Sequence, residues 1–127
     1  MLAVGVDLIE VERIQASMTR YGDRFLARVF TNAERAYCQE RSHQLAARFA
    51  AKEAVSKLLG VGIQHADGVS WQDIEVISDA RGKPMVQLHG QAARRAQAIG
   101  VHDLALSLSH TRDHAIAMVV AEQTGGH

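Results

Sequence analysis

Apolar residues run together or alternate with polar ones in short segments that predict strands near both ends of the chain. The first segment, residues 2–9 (LAVGVDLI), is β-branched, apolar and without helical spacing, and it predicts a buried strand. Asp7 lies near its end, and alternation places it on one face with Ala3, Gly5 and Ile9. A carboxylate there costs several kcal/mol to desolvate unless it is paired or binds a cation. Alternatively, Asp7 caps the following helix.

Helical spacing follows this strand. Apolar residues recur every three or four positions over residues 10–20, which predicts a helix. Thr31 and, three positions later, Glu34 form the pattern of a capping box, so a short helix is expected to start there. Ser42 is expected to cap the longest helix, an Ala-rich segment that ends at Gly60.

The longest helix carries charges in an unusual place. On a helical wheel, Glu53 and Lys57 fall within an apolar sector defined by Leu45, Ala46, Phe49 and Ala50. Arg48 and Lys52 lie to the other side and are expected to be solvated. A simpler interpretation is that Glu53 and Lys57 form an exposed ion pair, which would stabilise the helix by ~0.3 kcal/mol. Their position in the apolar sector makes an exposed pair less favoured.

The second half of the chain alternates between strand and helix patterns. They predict a hairpin of strands at 71–77 and 85–88, a helix between Gly90 and Gly100, and two further strands at 105–110 and 114–121. The order of elements lacks a regular βαβ rhythm. We therefore expect an α+β fold, with helices packed against an antiparallel sheet, formed by a single domain over residues 1–127.

Composition narrows the possible partners. Lys and Arg total 14 and are balanced by 14 Asp and Glu, so no overall charge attracts nucleic acid or a membrane surface. Trp71 is the only tryptophan, which leaves few aromatic platforms for stacking on bases. Cys38 is the only cysteine, and no charged start followed by an apolar run suggests secretion. A cytoplasmic protein without nucleic-acid or membrane binding is expected.

Asp7 and Glu53 together suggest a metal site. Two carboxylates from different elements, without a nearby cysteine or histidine cluster, suit a hard cation such as Mg²⁺ better than zinc. Mg²⁺ usually keeps several waters and also binds substrate phosphate oxygens. Lys57, one helical turn beyond Glu53, suits the same phosphate. The three residues are therefore predicted to form a phosphoryl-transfer site.

Three stretches carry a specific resemblance: GVDLIEVERI, RFAAKEAVSKLLG and SLSHTRDHAIA. They resemble, in the same order, the signature stretches of holo-acyl-carrier-protein synthases, the small 4′-phosphopantetheinyl transferases. The central segment WQDIEVISDARGKP is similar to the hairpin of that family. The resemblance implies a Mg²⁺-dependent enzyme that supports fatty acid biosynthesis and assembles as a homotrimer, with coenzyme A in clefts between subunits. A serine of apo-acyl carrier protein would attack the β-phosphate of coenzyme A, and adenosine 3′,5′-bisphosphate would leave.

The resemblance also assigns roles to residues. It implies that Asp7 and Glu53 bind the metal and that Lys57 binds the phosphates, so that all three act in catalysis. Either Glu53 or a metal-held water would deprotonate the serine. The residues that it implies for coenzyme A binding are Lys57, Gly60, Gly82, Lys83, Pro84, His110 and Thr111.

A stripe of arginines is expected to receive the carrier protein. Arg13, Arg20 and Arg24 lie along one side of the first helix if that helix persists through Gly22. A solvated helix face would have the same pattern. Acyl carrier proteins are acidic, and the resemblance implies docking on this helix, with Phe25 adding an apolar contact.

Two other classes of protein share some of these features. One is a non-catalytic module that binds acyl carrier proteins through the arginine stripe, and the other is a metal-dependent phosphohydrolase that cleaves coenzyme A with water. Intact Asp7, Glu53 and Lys57 speak against the first. Release of adenosine 3′,5′-bisphosphate without modification of a carrier protein would identify the second.

Overall fold

The computed structural model describes residues 1–64 and 68–125. Helices and strands alternate irregularly, as expected for an α+β fold. In chain order the elements are β1 (Leu2–Glu10), α1 (Val11–Tyr21), α2 (Asp23–Val29), α3 (Asn32–Cys38), α4 (Ser42–Leu59), β2 (Ile74–Ser78), β3 (Pro84–Leu88), α5 (Gly90–Ile99), β4 (Val101–His110) and β5 (His114–Gln123).

The two chain ends meet in one antiparallel sheet of order β1-β5-β4. Asp7 pairs with Ala117 of β5, and it lies on the covered face of β1 with Ala3, Gly5 and Ile9, as alternation predicted. The predicted burial of this strand is confirmed for that face only. The other face of β1 carries Leu2, Val4, Val6 and Leu8, which are 67%, 66%, 51% and 61% exposed, because α4 covers the sheet from one side.

Helix α4 is the centre of the molecule. It packs against β1 and β5 on one side and contacts β2 and α3 on the other. The prediction that Arg48 and Lys52 are solvated is therefore wrong: both are buried, and Lys52 is 0% exposed. The wheel assumed a helix covered on one side, whereas α4 is covered around most of its circumference. Among the described residues, no helix is long and apolar enough to span a membrane.

The hairpin β2–β3 forms a second, two-stranded sheet. Its first strand starts later than predicted, because residues Trp71–Asp73 form a 3₁₀ turn. The Asp73 carboxylate accepts the backbone N–H of Ser70 at 3.3 Å, which stabilises this turn instead of an extended strand. The predicted pairing around the DARGKP turn is confirmed, with Ser78 opposite Pro84.

Two helix starts differ in how well the sequence predicted them. The capping box is confirmed: Thr31 Oγ1 accepts the Glu34 N–H at 3.2 Å, and Glu34 Oε1 accepts the Thr31 N–H at 2.9 Å. Ser42 is not the cap of α4 but its first residue, and its hydroxyl accepts a hydrogen bond from Gln15 at 3.1 Å.

The first helix does not persist through Gly22, whose φ of 57° and ψ of −129° separate α1 from α2.

Candidate active site

Strand β1 and helix α4 bring Asp7 and Lys57 together. Lys57 Nζ lies 2.9 Å from Asp7 Oδ1 and also donates to the carbonyl of Val6 at 3.2 Å. The Asp7 side chain is 18% exposed and the Lys57 side chain is 56% exposed. Hydrogen bonding to Asp7 is the main reason why the pKa of Lys57 is raised. Lys57 is thus held as a cation, and the pair is open to a ligand from solvent.

Glu53 lies one turn before Lys57 on α4 and completes this group. Burial, and then the nearby charge of Asp7, raise the pKa of Glu53, while Lys57 and Arg13 act in the opposite direction. The two carboxylates are therefore close enough to repel each other. Since the charge of Arg13 on α1 is among those that act on Glu53, Arg13 lies within electrostatic reach of the acids.

A close contact between backbones places α4 against β1. A Cβ added at Gly5 would lie 2.0 Å from the carbonyl oxygen of Ala54 and 3.2 Å from Leu58 Cβ. Only glycine allows this approach. Since Ala54 follows Glu53 and Gly5 lies two residues before Asp7, the contact sets the distance between the two acids.

The predicted coenzyme A residues fall into three places. Gly60 ends α4 in the left-handed conformation, near Lys57. His110 and Thr111 line a cleft of about 710 Å³ at the start of α4, where the ring of His43 lies 5.2 Å from that of His110. Among the described residues, no hydrogen bond or ion pair connects this cleft to Asp7.

The third place is the hairpin turn with Gly82, Lys83 and Pro84. Gly82 has a φ of 83°, which favours glycine. The side chain of Asp79 accepts the N–H of Lys83 at 2.9 Å and closes the turn. The Tyr37 hydroxyl lies beside this turn, at 3.5 Å from the position that a Cβ on Gly82 would occupy.

The predicted docking residues are divided between two helices. Arg20 lies near the end of α1, whereas Arg24 and Phe25 belong to α2. Arg24 and Phe25 line a small cleft of about 320 Å³. The Phe25 ring packs 6.0 Å from that of Phe30, so it is shared between this cleft and the core.

Sequence reasoning missed two buried cations of α4. Arg48 donates to Ser78 Oγ at 2.7 Å and lies 4.6 Å from the centre of the Tyr37 ring. Its Nε has no hydrogen-bond partner within the described part of the chain. Lys52 is paired with Glu34 at 2.9 Å. Both cations belong to the RFAAKEA stretch, and that membership was the available signal that they are not ordinary surface charges.

A different group of residues has the spacing of metal ligands. His102, Asp103 and Glu122 offer ligand atoms within 4.8 Å of one another. All three are exposed, and they lie at the other end of the sheet, where β1 begins. This group is separate from Asp7 and Glu53.

A comparison with protein families identifies the class to which this α+β fold with Asp7 and Glu53 belongs. Residues 3–119 match the model of the 4′-phosphopantetheinyl transferase superfamily. The chain therefore belongs to that superfamily.

Similar proteins specify the group within it. The chain is 49% identical to a holo-[acyl-carrier-protein] synthase of Herpetosiphon aurantiacus over 94% of this chain and 98% of that protein. It is similar to the ACPS–CoA complex of Chronobacterium ammoniagenes with a TM-score of 0.86 and 34% identity, over 98% of this chain and 99% of that one. For the Helicobacter pylori holo-[acyl-carrier-protein] synthase in complex with coenzyme A, the TM-score is 0.83 and the identity 31%, over 94% and 99%. The relatives of this chain within the superfamily are thus holo-[acyl-carrier-protein] synthases.

Proposed function

We propose that this chain transfers the 4′-phosphopantetheine group from coenzyme A to a serine of apo-acyl carrier protein and releases adenosine 3′,5′-bisphosphate. The observation that carries the proposal is the group of Asp7, Glu53 and Lys57 at the contact of β1 with α4, in a chain of this family. The reaction would supply carrier proteins for fatty acid biosynthesis. A cytoplasmic location is part of the proposal, in keeping with the free, buried thiol of Cys38.

Asp7 and Glu53 are the proposed ligands of Mg²⁺. The fit rests on their electrostatics: burial, and then the charge of Asp7, raise the pKa of Glu53 even with Lys57 beside Asp7, so a cation held by both acids would favour their charged forms. Both offer hard oxygen donors, and the Asp7 side chain is reachable from solvent. When bound, Mg²⁺ would neutralise phosphate charge and polarise the phosphoryl group.

The chain's own residues would then hold the reacting groups. Lys57, an exposed cation beside Asp7, is placed to bind the phosphates and to stabilise the charge that develops as the β-phosphate is attacked. The serine oxygen bonds to the phosphorus, and the bond to the departing phosphate oxygen breaks. The Glu53 carboxylate is the candidate acceptor in this chain for the serine proton.

Coenzyme A is proposed to lie between subunits of a homotrimer. Its proposed contacts, Gly60, the Gly82–Pro84 turn, and His110 with Thr111, lie at different places on one chain. A site shared between copies would bring them to one ligand. The sheet offers a surface for such assembly, since Val4 and Val6 of β1 and Met118 of β5 are 66%, 51% and 50% exposed. An apolar patch of this kind usually marks a protein interface.

The acidic carrier protein is proposed to dock on α1 and α2 through Arg13, Arg20, Arg24 and Phe25. Arg13 lies within electrostatic reach of Glu53, so a carrier bound at Arg13 would present its serine on the side of the proposed metal ligands. The cleft with Arg24 and Phe25 combines a cation with an aromatic surface. Complementary charge would mainly assist encounter and orientation.

Release of adenosine 3′,5′-bisphosphate tests the proposed reaction. Chromatography measures the adenosine 3′,5′-bisphosphate that is released from coenzyme A in the presence of Mg²⁺. We expect this release to require apo-carrier protein and to equal the amount of carrier protein that is modified. Release without carrier would instead indicate a phosphohydrolase. Binding of the carrier without any release would indicate a non-catalytic module.

A further inference from the structure

The hairpin strand β2 has one edge that faces side chains instead of a strand. Its pairs with β3 leave the Ile74 carbonyl and the Val76 N–H pointing away from that partner. Lys52 Nζ donates to the Ile74 carbonyl at 2.5 Å, and Glu34 Oε2 accepts the Val76 N–H at 2.8 Å. Two charged side chains thus satisfy backbone groups that a neighbouring strand would usually satisfy.

These two side chains also bind each other and two further elements. Lys52 Nζ lies 2.9 Å from Glu34 Oε1, and both side chains are 0% exposed. Lys52 also donates to the carbonyl of Trp71 at 3.0 Å, and Glu34 accepts the N–H of Thr31 at 2.9 Å. The pair therefore links α3, α4 and the base of the hairpin at one point.

Stability alone does not require an ion pair at this point. Taking two charges out of water is costly, and replacing a buried pair by apolar residues is often neutral or stabilising. What charged groups provide is direction, because each hydrogen bond fixes the position of one backbone atom. The network of Lys52 and Glu34 is thus suited to set the position of β2 on α4.

Helix α4 carries functional groups on two sides. Glu53 points towards β1, where the contact of Gly5 with Ala54 fixes its position. Lys52, the preceding residue, points towards β2. We infer that the Lys52–Glu34 pair is a positioning pair, which fixes the hairpin and its Gly82–Pro84 turn relative to Glu53. Any tilt at the base of β2 would be enlarged at the turn, which lies beyond the five residues of that strand.

This inference rests on the proposed function and makes a specific kinetic prediction. If Gly82–Pro84 binds the nucleotide end of coenzyme A, loosening the hairpin should weaken coenzyme A binding and spare the chemistry at Asp7 and Glu53. The test is the double variant Glu34→Leu/Lys52→Met, which removes both charges and leaves neither one unpaired. We expect the KM for coenzyme A to rise about tenfold, while kcat and the KM for carrier protein stay within about twofold.

The control is Arg35→Gln, which removes the ion pair of the same helix with Asp23 but does not touch the hairpin. It should keep the wild-type KM for coenzyme A. Fluorescence of Trp71, the only tryptophan, reports on the base of the hairpin, and acrylamide should quench it more strongly in the double variant.

A folded double variant with the wild-type KM for coenzyme A would overturn the inference, as would a loss confined to kcat. If the double variant does not fold, Glu34→Gln decides, because an amide cannot accept both the Val76 and Thr31 N–H groups and Lys52. If neither variant folds, the pair holds the whole fold and the positioning role is wrong. Absence of transfer by the wild-type protein in the same assay would count against the proposed function and not against this pair.

Discussion

Replacing Gly5 by alanine tests how the two acids are held together. The new Cβ would lie 2.0 Å from the carbonyl oxygen of Ala54, where a normal contact needs more than about 3 Å. Strand β1 and helix α4 must therefore separate by roughly 1 Å, and such a misplacement can lower a rate by about a hundredfold. Since Ala54 follows Glu53, the separation acts directly on the distance between Glu53 and Asp7.

The expected cost to stability follows from the same contact. Overpacking of a well-packed core costs about 1–3 kcal/mol. For a chain of this length, that corresponds to a decrease of roughly 3–15 °C in the midpoint of thermal unfolding. Both quantities can be measured on one preparation: the midpoint by circular dichroism at fixed protein concentration, and kcat with saturating coenzyme A, carrier protein and Mg²⁺ well below the midpoint.

A second glycine provides the control for stability. Gly22, between α1 and α2, has a φ of 57°, and the nearest atom to an added Cβ is the Met18 carbonyl oxygen at 3.9 Å. Gly22→Ala should cost a similar 1–3 kcal/mol, about the energy of backbone strain at such a φ, but should leave kcat unchanged. If Gly5→Ala has wild-type stability and kcat, or if Gly22→Ala lowers kcat equally, the reasoning is refuted.

Five other variants test the proposed site and assembly. Asp7→Asn should stay folded and lower kcat by about a hundredfold or more, since it removes a metal ligand; a near wild-type rate at low Mg²⁺ would exclude that role. In chelator, Glu53→Gln should raise the thermal midpoint near pH 7. The native pKa of Glu53 is raised, so the protonated side chain stabilises the fold at low pH, and this stability is lost as the pH rises above the ordinary carboxyl pKa. The increase in midpoint of Glu53→Gln over the wild type should therefore shrink towards about pH 4. An equal increase at about pH 4 and about pH 7 would contradict this. Arg24→Glu should raise the KM for carrier protein and leave the KM for coenzyme A unchanged, whereas Arg13→Glu should also lower kcat because the charge of residue 13 acts on Glu53; identical kinetics for the two variants would contradict the arrangement. Leu8→Asp, at a side chain 61% exposed on the apolar sheet face, should convert the proposed trimer into monomers in light scattering and abolish transfer; an active trimer would exclude this face as the interface.

The sequence predicted best where one local interaction decides the structure. The capping box of Thr31 with Glu34 formed as expected, and Gly60 ended α4. The face shared by Asp7 and Gly5 followed from alternation alone. In these cases the pattern and the structure depend on the same neighbouring residues.

The errors occurred where distant elements decide. Arg48 and Lys52 were expected in solvent because a helical wheel cannot show that the hairpin covers the second side of α4. The arginine stripe was interrupted at Gly22, where the chain turns so that α2 can pack beside α1. The strand expected at Trp71 starts three residues later, because Asp73 closes a turn with Ser70.

The candidate site was predicted in part for the same reason. Asp7, Glu53 and Lys57 were proposed from charges at apolar positions, and the structure brings these side chains together. The pair of Lys52 with Glu34 could not be foreseen, since it joins residues 18 positions apart through the edge of β2. Its members look like ordinary helix charges until that third element is present.

The most direct test of the central claim is the mass of an acyl carrier protein after incubation with this enzyme, coenzyme A and Mg²⁺. We predict that the carrier gains one phosphopantetheine group, that chelator prevents the gain, and that Glu53→Gln abolishes it while the protein stays folded. A carrier protein that gains the group equally well in chelator would contradict the metal site at Asp7 and Glu53. A carrier that stays unmodified by the wild-type enzyme, tried with several apo-carriers, would contradict the transferase itself.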